Sequence, residues 1–389
     1  MTALATVQSP LDWHISQPGQ CPCPLRAKIV VAVDGRVLGP VEAQALDWTH
    51  ARPWMLAEDF EGEIEAEAKP QPLACGVHFD APDERYFISG IGSTDLVKLA
   101  RTPADWWYSS NHNPDRIDTA KRDLDFGTAL HALVLQGLDA FERVVAVSPH
   151  AEFRTDKAKA WKSEQIDADK AILQPAEAKA VQHMASLILH HPDTAAIGTG
   201  LRELAVVWEE DGVRFRAKFD AILPAFSIDL KTYGGANTQG RSPKDTAMRM
   251  IAMRNYDVQR AHYHTARERL RDAVAAGRVF GGTPTQRAML AAIAERKTWA
   301  WVWLFYQRRD DKAGHAPVIM PIAAMPEDPS HESGRRKIAT ALANYRAYVA
   351  RFGLDTPWAQ INRLTWAEPT DFVPWMSDVA PPQFEGEDA

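Results

Sequence analysis

The chain has 389 residues, 46% of them hydrophobic and 24% charged, a globular composition that excludes a largely disordered chain, a fibrous repeat and a coiled coil. Its net charge of -7 excludes a generally basic, histone-like DNA coat and restricts any contact with a polyanion to a local region. No apolar run approaches the roughly eighteen residues of a membrane span, and the first residues lack the basic start and apolar core of a secretory signal, so we expect neither segment.

The first 75 residues predict a small, β-containing extension whose role the sequence leaves open. Residues 28–33 and 36–38 flank an Asp-Gly pair, which is the pattern of two strands joined by a tight turn. A short helix is expected near 40–48, and the acidic, proline-ended stretch 61–72 is typical of a linker. All three cysteines lie in this part, and their odd number predicts a reducing compartment rather than a disulfide framework.

Helical patterns follow this extension. Ser93 can cap a helix that stops before Pro103, because proline restricts the residue that precedes it. A second helix is expected over 125–137, and since it is apolar nearly all round, we expect it in the protein interior. Charged helical segments fill residues 155–191.

The strongest strand pattern lies between residues 201 and 233. Two alternating runs, 201–210 and 213–223, flank Asp211-Gly212 and predict a hairpin, and 226–233 predicts a third strand. The rest of the chain predicts a helix over 245–276, a strand over 298–306, a helix over 335–352 and a disordered acidic tail at 377–389.

The third predicted strand carries the residues that indicate chemistry. Side chains alternate along a strand, so Asp229 and Lys231 share one face. Asp220, near the end of the preceding strand, and Glu203, at the start of the hairpin, add two carboxylates to the same sheet. Such carboxylates hold Mg²⁺, which polarises a phosphoryl oxygen, and a neighbouring lysine stabilises developing charge. The set predicts phosphodiester hydrolysis, although an isolated Asp-Lys pair on a strand is more often a salt bridge.

Residues on two helices add to this set. His131 lies among leucines in the predicted helix 125–137, where a histidine is either a core residue or a functional one. Gln259 and Tyr263 are four residues apart and therefore share a helix face. Core packing explains Tyr263 more readily than it explains a glutamine beside it.

A local excess of positive charge predicts contact with phosphates. Residues 240–278 contain nine Lys or Arg and four acidic residues, and Arg260, Arg267 and Arg271 fall on one stripe of the predicted helix. The alternative is a solvated helix face. Arg101 is a second candidate, because it lies close to an aromatic cluster whose rings either stack on unpaired bases or simply pack in the core.

Together, four segments resemble the PD-(D/E)XK nuclease superfamily and, within it, the RecE-like exonucleases (exodeoxyribonuclease VIII type) of phage and prophage recombination. They are GIGSTDLVKLARTPADWW (90–107), LDFGTALHALVL (124–135), the strand segments within 202–233, and NYDVQRAHYHTA (255–266). Their order and spacing match over about residues 85–375. Phe219 stands where the superfamily name has proline, a departure that matters little because the proline makes no chemical contribution.

The resemblance implies a restriction-endonuclease-like α/β (α+β) core, with a central mixed β-sheet flanked by helices, over residues 76–376. It implies that Asp229 is the central metal carboxylate and that His131 and Asp220 help to bind the metal. Lys231 would position or activate the attacking water.

The resemblance also implies roles for the remaining site residues. Glu203 would be the outlying acid of the hairpin, and Gln259 and Tyr263 would support the site or contact the DNA strand. The implied cofactor is Mg²⁺, for which Mn²⁺ can substitute. We expect no iron–sulfur cluster, because no cysteine follows Cys75, and no bound nucleotide, because the chain has no GxxxxGK[ST] loop.

The implied function is a Mg²⁺-dependent exodeoxyribonuclease that degrades one strand of linear double-stranded DNA from its end and leaves single-stranded DNA for recombination by annealing. The implied partners are double-stranded DNA ends, a single-strand annealing protein and further copies of the chain in a homo-oligomeric ring. We expect the cytoplasm of a bacterial or phage-infected cell as its location. An endonuclease or single-strand nuclease on the same core, and a non-catalytic DNA-binding or assembly module, remain open alternatives.

Overall fold

The computed structural model describes residues 70–116, 125–233, 242–307 and 317–360, together with the backbone of four strands nearer the N-terminus. The chain divides into two compact units, Met1–Gln71 and Pro72–Ala389. Among the helices of the described ranges, none is long and apolar enough to cross a membrane. The predicted acidic tail at 377–389 lies outside the described residues.

The first unit contains a four-stranded antiparallel sheet. In spatial order its strands are β1 (His14–Ile15), β4 (Pro53–Leu56), β2 (Lys28–Val33) and β3 (Arg36–Glu42). The predicted pair of strands is confirmed, because β2 and β3 pair with Val33 opposite Arg36. The helix predicted near 40–48 is wrong for its first three residues, which belong to β3; its remainder, the Asp-Gly turn and most of the predicted linker lie outside the described residues.

The second unit is built on a seven-stranded sheet. In spatial order its strands are β11 (Val279–Phe280), β5 (Gly76–His78), β8 (Leu201–Glu210), β9 (Val213–Ile222), β10 (Phe226–Tyr233), β12 (Ala300–Gln307) and β13 (Val318–Ala324). Two further strands, β6 (Val145–Val147) and β7 (Ala171–Leu173), pair with each other. The helices are α1 (Asp83–Tyr86), α2 (Ser93–Arg101), α3 (Pro103–Ser109), α4 (Asp125–His131), α5 (Leu138–Val144), α6 (Asp156–Asp167), α7 (Pro175–His190), α8 (Ala196–Thr199), α9 (Pro243–Met253), α10 (Tyr256–Ala275), α11 (Pro284–Glu295) and α12 (Pro329–Phe352).

The sheet is mixed. The pairs β8–β9, β9–β10 and β12–β13 are antiparallel, whereas β10 and β12 run parallel and are connected through α9, α10 and α11, as a parallel crossover requires. The predicted hairpin is confirmed: Asp211 and Gly212 join β8 to β9 with φ angles of 50° and 73°, the positive values that a two-residue hairpin turn demands.

Alternating side chains of β10 enter two different cores. Ile228 and Leu230 pack with residues of α4 and α7, whereas Tyr233 packs with residues of α9. Helices therefore cover both faces of the sheet, which confirms the predicted fold class. Asp229 and Lys231 alternate with the apolar pair and lie on the face that α9 and α10 cover.

Two predicted helices differ in detail from the structure. The helix predicted over 125–137 is α4 followed by a π-turn (Ala132–Gln136), which ends at Gly137 with a φ of 92°. The helix predicted over 245–276 is divided into α9 and α10, because Asn255 adopts a left-handed φ of 55°, a conformation that asparagine tolerates better than most residues. This break sets the direction in which α10 crosses the sheet.

Candidate active site

The candidate site lies where β9 and β10 separate. The two strands pair through Ser227 and Ile228 only, so the backbone of Leu230 has no ladder partner on β9. Side chains bond to it instead: Asp220 Oδ2 accepts the Leu230 N–H at 2.7 Å, and His131 Nε2 lies 2.9 Å from the Leu230 carbonyl oxygen. Buried backbone groups require such partners. One backbone residue thereby fixes two of the predicted metal ligands.

A glycine determines how closely α4 approaches β10. Gly127 lies one helical turn before His131, and a Cβ placed on it would lie 3.0 Å from Thr232 Oγ1. Thr232 and Leu230 lie on the same face of β10, so one face of α4 meets both residues. A larger residue would require the Thr232 side chain to move. The sequence analysis did not identify Gly127 as a site residue, although its spacing of four from His131 is the signal.

Asp229 is the buried centre of the site. Its side chain is 3% exposed, and Lys231 Nζ lies 2.9 Å from Oδ1 and 2.8 Å from Oδ2. Gln259 on α10 donates an N–H to Oδ1 at 2.7 Å. The prediction that Asp229 and Lys231 share a face is confirmed, and Gln259 joins them from the covering helix.

Burial and charge set the protonation of this pair. Burial raises the pKa of Asp229 to about 6, with Asp220 adding to the rise and Lys231 opposing it. Burial alone would lower the pKa of Lys231, but the charges of Asp229 and Asp220 outweigh burial and raise that pKa above its usual value. Lys231 is therefore an ammonium at neutral pH, which suits it to neutralise negative charge rather than to accept a proton from water.

Glu203 stands opposite Asp220, between two paired positions of β8 and β9. Its φ of 53° is left-handed, a conformation that costs a non-glycine residue roughly 1–2 kcal/mol. Burial, followed by repulsion from Asp220, raises the pKa of Glu203 to about 7. A strained backbone and a shifted carboxyl pKa at one residue are features that cluster at functional sites.

Tyr263 supports β9 rather than facing the open side of the site. Its hydroxyl donates to the carbonyl oxygen of Lys218 at 2.9 Å, and its ring packs edge-on against Phe219. These contacts hold the segment of β9 that leads to Asp220. The predicted shared face of Gln259 and Tyr263 is confirmed, because both side chains reach the sheet from α10.

Two of the four predicted DNA-binding arginines are buried, and the prediction is wrong for them. Arg260 is 2% exposed, and Arg267 is 0% exposed. The guanidinium of Arg260 donates to Asp328 Oδ1 at 2.8 Å and Ser330 Oγ at 2.6 Å, and also to the Met325 carbonyl. Arg267 donates to the carbonyls of Leu223, Pro224 and Phe226 and to Ser227 Oγ. Both cations satisfy internal acceptors and cannot reach a phosphate.

The other two arginines lie nearer the surface. Arg271 is half-buried and Arg101 is exposed, so a phosphate contact remains a prediction for both. Trp106 and Trp107, close to Arg101 in the sequence, are buried, which favours core packing for their rings, whereas Tyr108 is exposed.

The candidate ligand atoms include the carboxylate oxygens that a hard divalent cation prefers. His131 Nε2 meets a carbonyl oxygen, so in the neutral ring Nε2 carries the proton and Nδ1 the lone pair; Nδ1 faces Asp220 Oδ2 across 3.8 Å. That gap is too long for a hydrogen bond, and two ligand bonds of about 2 Å can span it. Asp229 Oδ2 is buried and faces Lys231 Nζ at 2.8 Å. Within the described ranges no three His, Cys, Asp or Glu residues form a cluster that could hold a metal ion.

At the candidate site the mixed sheet has two separating strands, β9 with Asp220 and β10 with Asp229 and Lys231. Residues 92–280 match the family model of a PDDEXK-like domain of unknown function (DUF3799), just under half of the chain. The chain is also similar to the crystal structure of a "putative exonuclease" from Eubacterium rectale, with 13% identity, a TM-score of 0.43 and coverage of 69% of this chain and 88% of the other. No curated protein matches the chain.

Proposed function

We propose that the PDDEXK-like domain hydrolyses phosphodiester bonds of DNA with the help of a divalent cation. The observation that carries this proposal is the buried Asp229 carboxylate, held between Lys231 and Gln259 on the strand beside Asp220 and His131. A structural ion pair would need neither a second carboxylate nor an imidazole whose lone pair faces it. The arrangement suits an ion and a reacting phosphate better than it suits stability alone.

Each residue has a definite task in this proposal. A bound Mg²⁺ would polarise the phosphoryl oxygen and lower the pKa of the attacking water. His131, Asp220 and Asp229 would hold the ion, with Leu230 fixing the first two through its backbone. Lys231 would orient the water and neutralise charge that develops on the phosphate. Gln259 would keep the Asp229 carboxylate in one orientation.

The proposal extends to exonuclease action. We infer that the substrate is linear double-stranded DNA, degraded on one strand from its end to leave single strands for an annealing protein, in the cytoplasm and by a homo-oligomeric ring. The resemblance of four segments, in order, to RecE-like exonucleases supports this finer reading. Mg²⁺ is the proposed ion, with Mn²⁺ as its substitute, because carboxylate oxygens dominate the donor set.

One assay tests both levels of the proposal. Purified protein is incubated with end-labelled linear duplex and with covalently closed circular duplex, in Mg²⁺ or in chelator, and both strands are analysed. We expect Mg²⁺-dependent loss of one strand of the linear duplex only. Asp229→Asn should abolish it, whereas Lys159→Met, at an exposed pair 3.6 Å from Asp156, should not.

The outcomes separate the alternatives. Cleavage of the circle would indicate an endonuclease, and cleavage of unpaired DNA alone would indicate a single-strand nuclease. No cleavage by the wild-type protein would refute hydrolysis and favour a DNA-binding module. Full activity in Asp229→Asn would refute hydrolysis at this site.

A further inference from the structure

A cleft of about 880 Å³ lies beside the candidate active site, between the β8–β9 hairpin, the π-turn and α11. Two groups of charged residues line it. Arg143 and Arg202 form the first, next to polar lining residues of the π-turn and the segment before β8. The second is Lys218 with the acids around it: Asp80, Asp83, Glu84 and Glu203. We call the whole cavity the Arg143–Arg202 cleft.

We propose that the Arg143–Arg202 cleft binds a single-stranded segment of nucleic acid on its way to Asp220 and Asp229, with both arginines contacting phosphates. This inference rests on the proposed function, since the cleft would supply the path of the substrate to the candidate active site. It concerns residues that neither the sequence analysis nor the site geometry had identified.

The two arginines are available to bind an external anion. Both are exposed, and within the described part of the chain neither forms an ion pair. The contact of Arg202 is one long bond, 3.5 Å, from its guanidinium to the Val134 carbonyl oxygen. Lys218, in contrast, is already paired with Asp83. The free positive charge of the cleft therefore lies with Arg143 and Arg202, unlike that of the buried Arg260 and Arg267.

The backbone of β8 connects the cleft to the site. Adjacent side chains of a regular strand point to opposite faces, yet Leu201, Arg202 and Glu203 all line the cleft. The left-handed φ of Glu203 breaks the alternation at this point. Glu203 also stands opposite Asp220, so Arg202 lies one residue from the position on β8 that faces a candidate metal ligand.

The acids beside Lys218 repel a phosphate, which confines the phosphate contacts to Arg143 and Arg202. The cleft has a volume of about 880 Å³.

A binding experiment tests the inference without catalysis. The full-length protein, in chelator, is titrated into a fluorescent oligothymidylate of about ten nucleotides, a length within the range of single-strand sites. The variants are Arg143→Glu, Arg202→Glu and the double variant. Arg336→Glu, an exposed arginine on α12 outside the cleft, is the matched control. Circular dichroism and thermal unfolding verify that each variant is folded.

We expect the double variant to bind about tenfold or more weakly than wild type, with each single variant in between. The slope of log K against log salt should fall by about 1.4, from two lost contacts at about 0.7 each. The control should match wild type. Binding by the double variant equal to that of the control, or equal loss for blunt duplex and single strand, would overturn the inference.

A second measurement separates this inference from the proposed function. Hydrolysis of the p-nitrophenyl ester of thymidine 5′-monophosphate, in Mg²⁺ or Mn²⁺, needs the metal site but not the cleft. We expect the cleft variants to retain wild-type kcat on this ester. If wild type does not hydrolyse it while the cleft variants still lose oligonucleotide binding, the proposed function fails and the cleft stands. If all variants bind normally while wild type hydrolyses the ester, the cleft fails and the function stands.

Discussion

Lys231→Met removes the ammonium that faces a carboxylate of 3% exposure. We expect it to lower the free energy of unfolding by about 3–5 kcal/mol, because it leaves Asp229 buried without its cation. The loss should depend on pH. Of the charges that lower the pKa of Asp229, Lys231 has the largest effect. Without Lys231 the pKa of Asp229 therefore rises above about 6. The unfolded carboxyl ionises near 3.8, so stability falls as pH rises from about 4 towards neutrality.

Urea unfolding at several pH values measures this effect in Lys231→Met, Asp229→Asn and the double variant. Removing both charges together should restore much of the stability, giving a coupling energy of about 2–3 kcal/mol. Lys159→Met, which breaks an exposed pair, should cost less than about 1 kcal/mol at every pH. All three site variants should be inactive in the nuclease assay. A loss in Lys231→Met that is independent of pH, or additive single effects, would refute a buried, coupled pair.

Four further predictions follow from single residues. Gln259→Glu places a second carboxylate against Asp229, so it should raise the pKa of Asp229 and move the acidic limb of the pH–rate profile to higher pH; an unmoved limb would contradict the contact. Glu203→Gly should raise the free energy of unfolding by about 1 kcal/mol in urea, because glycine adopts its left-handed φ freely; a loss would show that the side chain stabilises the fold. Burial lowers the pKa of His262 to about 4 from 6.5, so stability should fall by about 3 kcal/mol as pH drops from 6.5 to 4, and His262→Gln should flatten this limb of the stability profile. Arg267→Met should cost about 3 kcal/mol by removing the donor of the Pro224 carbonyl and of Ser227 Oγ, while the salt dependence of DNA binding stays unchanged; a reduced slope would reinstate Arg267 as a phosphate contact.

Local patterning was enough to predict the strands that carry the site. Alternation placed Asp229 and Lys231 on one face, and the Asp-Gly pair predicted the hairpin that brings Glu203 opposite Asp220. These features follow from two-residue periodicity and from turn residues, and both are local. The spacing of Gln259 and Tyr263 was equally informative, because residues four apart in a helix lie on the same face.

The arginines show where such reasoning fails. A helix pattern shows that Arg260 and Arg267 share a stripe, but not whether that stripe meets solvent or the ends of neighbouring strands. Arg267 is buried because its guanidinium meets the carbonyls of the turn between β9 and β10, which only the tertiary structure reveals. Arg143 and Arg202 were missed for the same reason, since the cleft joins elements far apart in the sequence.

The separation of β9 and β10 links fold to site. A regular ladder would have paired the Leu230 backbone with a neighbouring strand and left Asp220 and His131 free to move. Because the ladder ends at Ile228, Leu230 instead takes Asp220 Oδ2 on its N–H and His131 Nε2 on its carbonyl. The Leu230 backbone thereby holds both side chains, and His131 Nδ1 and Asp220 Oδ2 face each other across 3.8 Å. A ligand histidine commonly gives its second nitrogen to a carbonyl, which fixes the tautomer and the ring. The cost of ordering these two ligands is thus met during folding, so that a metal ion would meet donors that are already oriented.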